Sequence, residues 1–163
     1  MSKYTIDTLR KNVSDAVEGK YRRGGTQSLL WHFKDVEKRF VELVGTDLRN
    51  WSQFWCTMAF SHDAVEEGLI NLQDYDDAGV NEILELFTRR IDETSEEHET
   101  RKLASELVEV AAIVYADAMS NAQYTEEEKV WTEEYHEPFP VARGKYLRRA
   151  ARALLRYTEL MQY

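Results

Sequence analysis

One cysteine, two prolines and seven glycines are all that 163 residues contain of the residues that staple or interrupt a chain. The single thiol, Cys56, excludes an intramolecular disulfide. So little turn punctuation favours long helices over many short strands. No stretch approaches the roughly 18 uninterrupted apolar residues of a membrane-spanning helix, and no apolar signal core follows Lys3. G-x-x-x-x-G-K-S/T, G-x-G-x-x-G and G-x-S-x-G are all missing, and Gly24-Gly25 lacks the lysine of a phosphate-cradling loop. These absences argue against a disulfide scaffold, a membrane protein and the common nucleotide-binding and serine-hydrolase patterns. The expected setting is cytoplasmic, without a membrane partner.

Charge of both signs is abundant, and it is unevenly placed. Residues 1–60 carry 10 Lys+Arg against 7 Asp+Glu, residues 61–140 carry 5 against 22, and residues 141–163 carry 6 against 1. An acidic centre is thus flanked by two basic ends, which bears on partners and assembly rather than on fold.

The apolar residues follow a helical period. Ile6 to Val17 reads as a first helix ending at Glu18-Gly19. Thr26 is expected to cap a second, with Leu29, Phe33, Val36, Phe40 and Leu43 on one stripe. Leu48, Trp51, Trp55, Met58, His62, Val65 and Leu69 continue the pattern in a third helix, expected to be the most buried. Residues 71–79 read as an acidic loop. Val80, Ile83, Leu84, Phe87 and Ile91 mark a fourth helix. Thr94 and Glu97 form a capping box for a long fifth helix reaching Ala118, and Thr125 and Glu128 form another for a short helix closed by Pro138. The last helix opens near Pro140, with Leu147, Ala150, Ala151, Leu154, Leu155 and Met161 on one side. The reading is an all-α single domain over residues 1–163, a bundle of six or seven helices.

His62, on an apolar seam, reads as a lone hydrogen-bonded core histidine. His32, His98 and His136 are not ligand-spaced with each other or with Cys56, so neither a metal nor a cofactor is expected. Cys56 reads as a small buried hydrophobe. Glu82-x-x-Glu85 and Glu106-x-x-Glu109 sit on neighbouring helical segments, and this pattern resembles the MazG-type nucleoside triphosphate pyrophosphohydrolases. The resemblance covers residues 80–118 and implies Mg²⁺ held by those four glutamates against a triphosphate. It departs from the family at Asn81 and Glu109, which stand where a glutamate and an aspartate belong.

The main functional expectation is a non-enzymatic interaction protein. Its acidic surface would capture a basic, nucleic-acid-handling protein, as inhibitors, immunity proteins and anti-defence factors of phage origin do. Asp74, Tyr75, Asp76, Asp77, Glu126, Glu127, Trp131, Glu134 and Tyr135 are the expected contact residues, carboxylates steering and aromatics anchoring. Arg22, Arg23, Lys145, Arg148, Arg149, Arg152 and Arg156 form a basic patch that can grip phosphates of nucleic acid, chiefly through the last helix. It can equally lie against the acidic segment just before it. A homo-oligomer of viral-particle type, with basic ends meeting acidic neighbours, is the third expectation.

Overall fold

The computed structural model describes residues 5–22, 27–45, 52–75, 78–127 and 139–162; at 52, 78, 126, 127 and 139–142 it describes the backbone only. The described residues form seven α-helices: α1 Ile6–Val17, α2 Leu29–Val44, α3 Ser52–Ser61, α4 Ala78–Phe87, α5 Ser95–Leu103, α6 Val108–Glu127 and α7 Phe139–Met161. A 3₁₀ turn spans Leu72–Asp74, and an isolated antiparallel bridge joins Tyr21 to Ser28. The protein is an all-α bundle. None of the described helices is long and apolar enough to cross a membrane.

The α1 boundaries are those its apolar period predicts, with Leu9, Val13 and Val17 buried at steps of four. The cap of α2 is Ser28, whose hydroxyl accepts from Trp31 N–H, and not Thr26, which lies outside the described residues. Gly45 ends α2 at a φ of 59°, a conformation in which a side chain would be strained. α3 is shorter than its apolar pattern: it stops at Ser61, and residues 62–68 run on as turns to Gly68.

The expected long fifth helix is two. Thr94 caps α5 through Glu97 N–H as its sequence requires. The chain then leaves the helix at Ala104, where the Ser105 hydroxyl accepts from Leu107 N–H at 3.2 Å. That local bond offers the backbone an alternative to the helical ladder. Thr125 opens no helix; it lies within α6 and donates from Oγ1 to the Asn121 carbonyl at 2.8 Å.

The centre of the bundle is α6, which packs along α7 and against α2 and α5. Its buried face is built from Ala111, Ala112, Ala116, Ala118 and Ala122 with Val110, Ile113 and Val114. Small side chains let α7 approach closely through its own Ala150 and Ala153, both buried. The larger apolar residues predicted to face the core, Leu147, Leu154, Leu155 and Met161, are instead exposed. Cys56 is partly buried rather than enclosed; burial first, then the nearby Glu37 charge, pushes its thiol up.

Candidate metal centre

Two helices and the turn that follows a third bring four polar side chains to one point inside this apolar bundle. His32 lies in the first turn of α2, one helical step from Leu29, Phe33 and Val36, and so faces inward with them. His62 and Asp63 follow the last residue of α3, and Asp117 sits midway along α6. One ligand atom from each of the four lies within 4.8 Å of all the others. His32 Nε2 is 3.1 Å from Asp117 Oδ1 and 3.6 Å from Asp63 Oδ2. His62 Nε2 is 3.2 Å from each of the same two oxygens. His62 is therefore not a lone core histidine, and His32 has a histidine partner across the bundle.

The surroundings fix the rings. His62 Nδ1 is 2.8 Å from the Ala59 carbonyl, a group that can only accept, so Nδ1 carries the hydrogen. The carbonyl belongs to the last turn of α3 and needs an outside donor. Phe87 meets the His62 ring edge to face at 5.9 Å, and Phe33 and Phe60 continue the aromatic wall. Both histidines are enclosed, whereas the Asp63 and Asp117 side chains keep some exposure.

With Nδ1 protonated, a neutral His62 would aim the Nε2 lone pair at two carboxylate oxygens. Something positive must stand between them, a proton or a metal ion. Burial opposes charging His62, but Asp63 and Asp117 outweigh it and hold its pKa well above the ordinary histidine value. Burial likewise opposes charging the two aspartates, and the imidazoles reverse the effect, drawing both carboxyls far below the usual range. The nitrogen–oxygen separations exceed the roughly 2.7–2.9 Å of a charge-assisted hydrogen bond. A cation about 2.1 Å from each donor, at tetrahedral to octahedral angles, would space its ligands by about 3.0–3.4 Å; the 3.1 and 3.2 Å separations fall in that range, and His32 to Asp63, at 3.6 Å, lies outside it. Two imidazoles with two carboxylates suit manganese, iron, cobalt or zinc better than magnesium or calcium, which prefer all-oxygen sites.

A second layer supports the four. Asn121 Nδ2 donates to Asp117 Oδ1 at 3.2 Å, and its own Oδ1 accepts from Arg22. Arg22 lies over the Tyr124 ring, 4.1 Å from its centroid. Glu66, three residues beyond Asp63, is exposed. Partial desolvation first and the Asp63 charge second push its carboxyl up, while Lys102 and Arg89 pull the other way. An acid with a raised pKa and two cations that act on it thus lie near Asp63.

The residues singled out from sequence are placed differently. Tyr75 is 2% exposed and receives Asn12 Nδ2 on its hydroxyl at 3.0 Å, so it is a core residue and not an accessible anchor. Asp74 is exposed beside it. Asp76, Asp77, Trp131, Glu134 and Tyr135, the side chains of Glu126 and Glu127, and Arg23 lie outside the description. The basic stripe is largely engaged: Arg152 makes a two-pronged pair with the buried Glu99 at 2.8 Å, Arg149 approaches the same carboxylate at 3.4 Å, and Arg156 reaches the Ser105 carbonyl. Lys145 and Arg148 face solvent, and Arg22 turns inward to the centre. Glu82 and Glu85 line a cleft with Leu86, Arg101 and Ser105 that includes neither Glu106 nor Glu109. Among the described residues, the four glutamates do not come together as a ligand group.

Sequence reasoning missed His32, Asp63 and Asp117 as a set, though a signal existed. Asp117 is the only charged residue between Val110 and Ala122, on a helix otherwise built to be buried. A carboxylate there demands a partner, and two histidines on apolar stripes were available. Compared with known proteins, the chain matches no protein-family model, no curated protein and no solved structure.

Proposed function

We propose that this protein is a metal-dependent hydrolase of phosphate esters, with His32, His62, Asp63 and Asp117 as ligands of one divalent transition-metal ion. The observation that carries the reading is the convergence of two imidazoles and two carboxylates at ligand spacing, with His62 aimed by the Ala59 carbonyl. A divalent ion in such a site polarises a phosphoryl oxygen and lowers the pKa of bound water toward neutrality. The chain's own groups do the rest. Glu66, whose carboxyl is pushed up by partial desolvation and by the Asp63 charge, would give a proton to a leaving oxygen. Lys102 and Arg89 offer positive charge to an anionic substrate, and the aromatic wall keeps the histidine side dry.

The test is to load the protein with Mn²⁺ or Zn²⁺, measure bound metal, and follow phosphate release from p-nitrophenyl phosphate and from nucleoside mono- and triphosphates. Metal-dependent release of inorganic phosphate, abolished by Asp117→Asn, is expected. Release of pyrophosphate retained in Asp117→Asn but lost in Glu82→Gln would favour the MazG-like alternative instead. A protein that binds no divalent ion sinks the proposal.

The capture of a basic protein by the acidic surface has less to support it. Its expected aromatic anchor Tyr75 is buried.

A further inference from the structure

His32 has two different neighbours at the ring nitrogen that faces away from the centre. Its Nδ1 lies 3.0 Å from Ser120 Oγ and 3.4 Å from Arg22 Nη1. These neighbours constrain the ring differently: Arg22 suits one tautomer only, whereas Ser120 suits either. A guanidinium is a donor only, so Arg22 can meet Nδ1 only as a lone pair. The neutral ring then carries its hydrogen on Nε2 and donates it to Asp117 Oδ1 at 3.1 Å. A serine hydroxyl can accept, so Ser120 also suits a ring protonated at Nδ1, whose Nε2 is free to bind a metal.

Arg22 is held where it can do this. Its N–H donates to the Gln27 carbonyl at 3.0 Å, and Leu29 N–H donates to the Lys20 carbonyl at 2.9 Å. The short pairing ties residues 20–22 to the start of α2, the helix that carries His32. The same guanidinium grips Asn121, which holds Asp117. Arg22 therefore touches the backs of two proposed ligands on two helices.

We propose that Arg22 and Ser120 form a tautomer latch on the metal centre, an inference that rests on the hydrolase reading above. Without metal, Arg22 keeps the His32 Nδ1 lone pair occupied and the Nε2 hydrogen on Asp117, so the cluster closes on itself. With metal, the ring would lose its Nε2 proton to solvent and take one from solvent at Nδ1, whose N–H would donate to Ser120 Oγ, and Arg22 would let go of the ring. Arg22 is a positioning residue in this scheme: it disfavours loading, and Ser120 favours it.

The direct test needs no variant. Long-range ¹H–¹⁵N spectra of the metal-free wild-type protein should show His32 protonated at Nε2, changing to Nδ1 on adding Zn²⁺. Arg22→Gln should move the metal-free ring toward the Nδ1 form and raise Zn²⁺ affinity about tenfold, the low end of what outer-layer changes do. Ser120→Ala should keep the Nε2 form and lower affinity by a similar factor. A metal-free wild type already protonated at Nδ1 overturns the latch. So do affinity shifts of the same sign in both variants, or a rise in Arg22→Gln with no change of tautomer, which marks only the loss of a positive charge. A wild type that binds no divalent ion overturns the centre itself along with the latch.

Discussion

His62 and Asp63 are consecutive in the chain, yet their side chains meet, Nε2 to Oδ2, at 3.2 Å. Neighbours inside a helix point about 100° apart and do not face each other. The contact exists because α3 stops at Ser61 and the next seven residues run as turns. Ala64 N–H returns to the Ser61 carbonyl at 2.9 Å and Glu67 N–H to the Asp63 carbonyl at 2.8 Å, which folds Asp63 back beside the histidine. The end of one helix thereby delivers two ligands from adjacent positions.

Metal binding should stabilise the fold, because the ligands come from α2, from the turn after α3, and from α6. An ion bound only by the native state adds about 2.7 kcal/mol at a hundredfold excess over Kd. Thermal denaturation should therefore shift upward with Mn²⁺ or Zn²⁺ and return with a chelator. Asp117→Asn and His62→Asn should lose the shift. Glu82→Gln, on an exposed position of α4, should keep it.

The metal-free protein should show a pH dependence with two edges. His62 has a folded pKa raised well above 6.5 by Asp63 and Asp117 against the burial that opposes it. Its stabilising contribution is thus full below the unfolded value and is lost as pH rises through the raised one. Asp63 and Asp117 are depressed, so theirs is present above about 3.9 and lost as pH falls through the folded values. Denaturant midpoints should fall on the alkaline side of neutrality, and His62→Asn should flatten that edge. Because His62 holds its proton on Nε2 at neutral pH, loading metal should release about one proton per ion, measurable in weakly buffered solution.

The join between α5 and α7 depends on Glu99, whose buried carboxylate is shared by Arg152 and Arg149. Burial resists its ionisation, but the arginines win and draw its pKa down. Glu99→Ala leaves two guanidinium groups without their anion and should cost about 3 kcal/mol, in the range for breaking a buried pair. Arg152→Ala should cost less, because Arg149 stays with Glu99 and Arg152 is half exposed. A double-mutant cycle by urea denaturation measures the difference.

Periodicity carried the architecture well. Leu9, Val13 and Val17, and Phe33, Val36 and Phe40, are buried at the spacing that predicts them. It failed where a single side chain redirects the backbone, as at Ser105, and where small residues set the packing face. On α7 Ala150 and Ala153 go inward while Leu147, Leu154 and Leu155, and with them the predicted core residue Ala151, stay out, because α6 presents alanines that reward close approach over bulk. The centre was hidden for a different reason. His32, His62 and Asp117 are separated by 30 and 55 positions and share no local motif. Each, read alone, is a polar residue on an apolar stripe; only tertiary packing shows that they satisfy one another.

Glu66 allows chemistry to be separated from metal binding. It is not a member of the ligand group, and partial desolvation together with the Asp63 charge raises its pKa despite Lys102 and Arg89 nearby. If it donates a proton to the leaving oxygen, Glu66→Gln should lower kcat by about 10²–10³. Metal content and thermal shift should remain those of the wild type. The pH profile gives the sharper reading. Activity that depends on a protonated Glu66 should decline as pH rises through its raised pKa, and that decline should vanish in Glu66→Gln. Substrates with very good leaving groups need little proton donation, so the variant should lose less on p-nitrophenyl phosphate than on an alkyl phosphate. Equal losses on both, or a fall in metal content, would place Glu66 in support of the ligands rather than in the proton transfer.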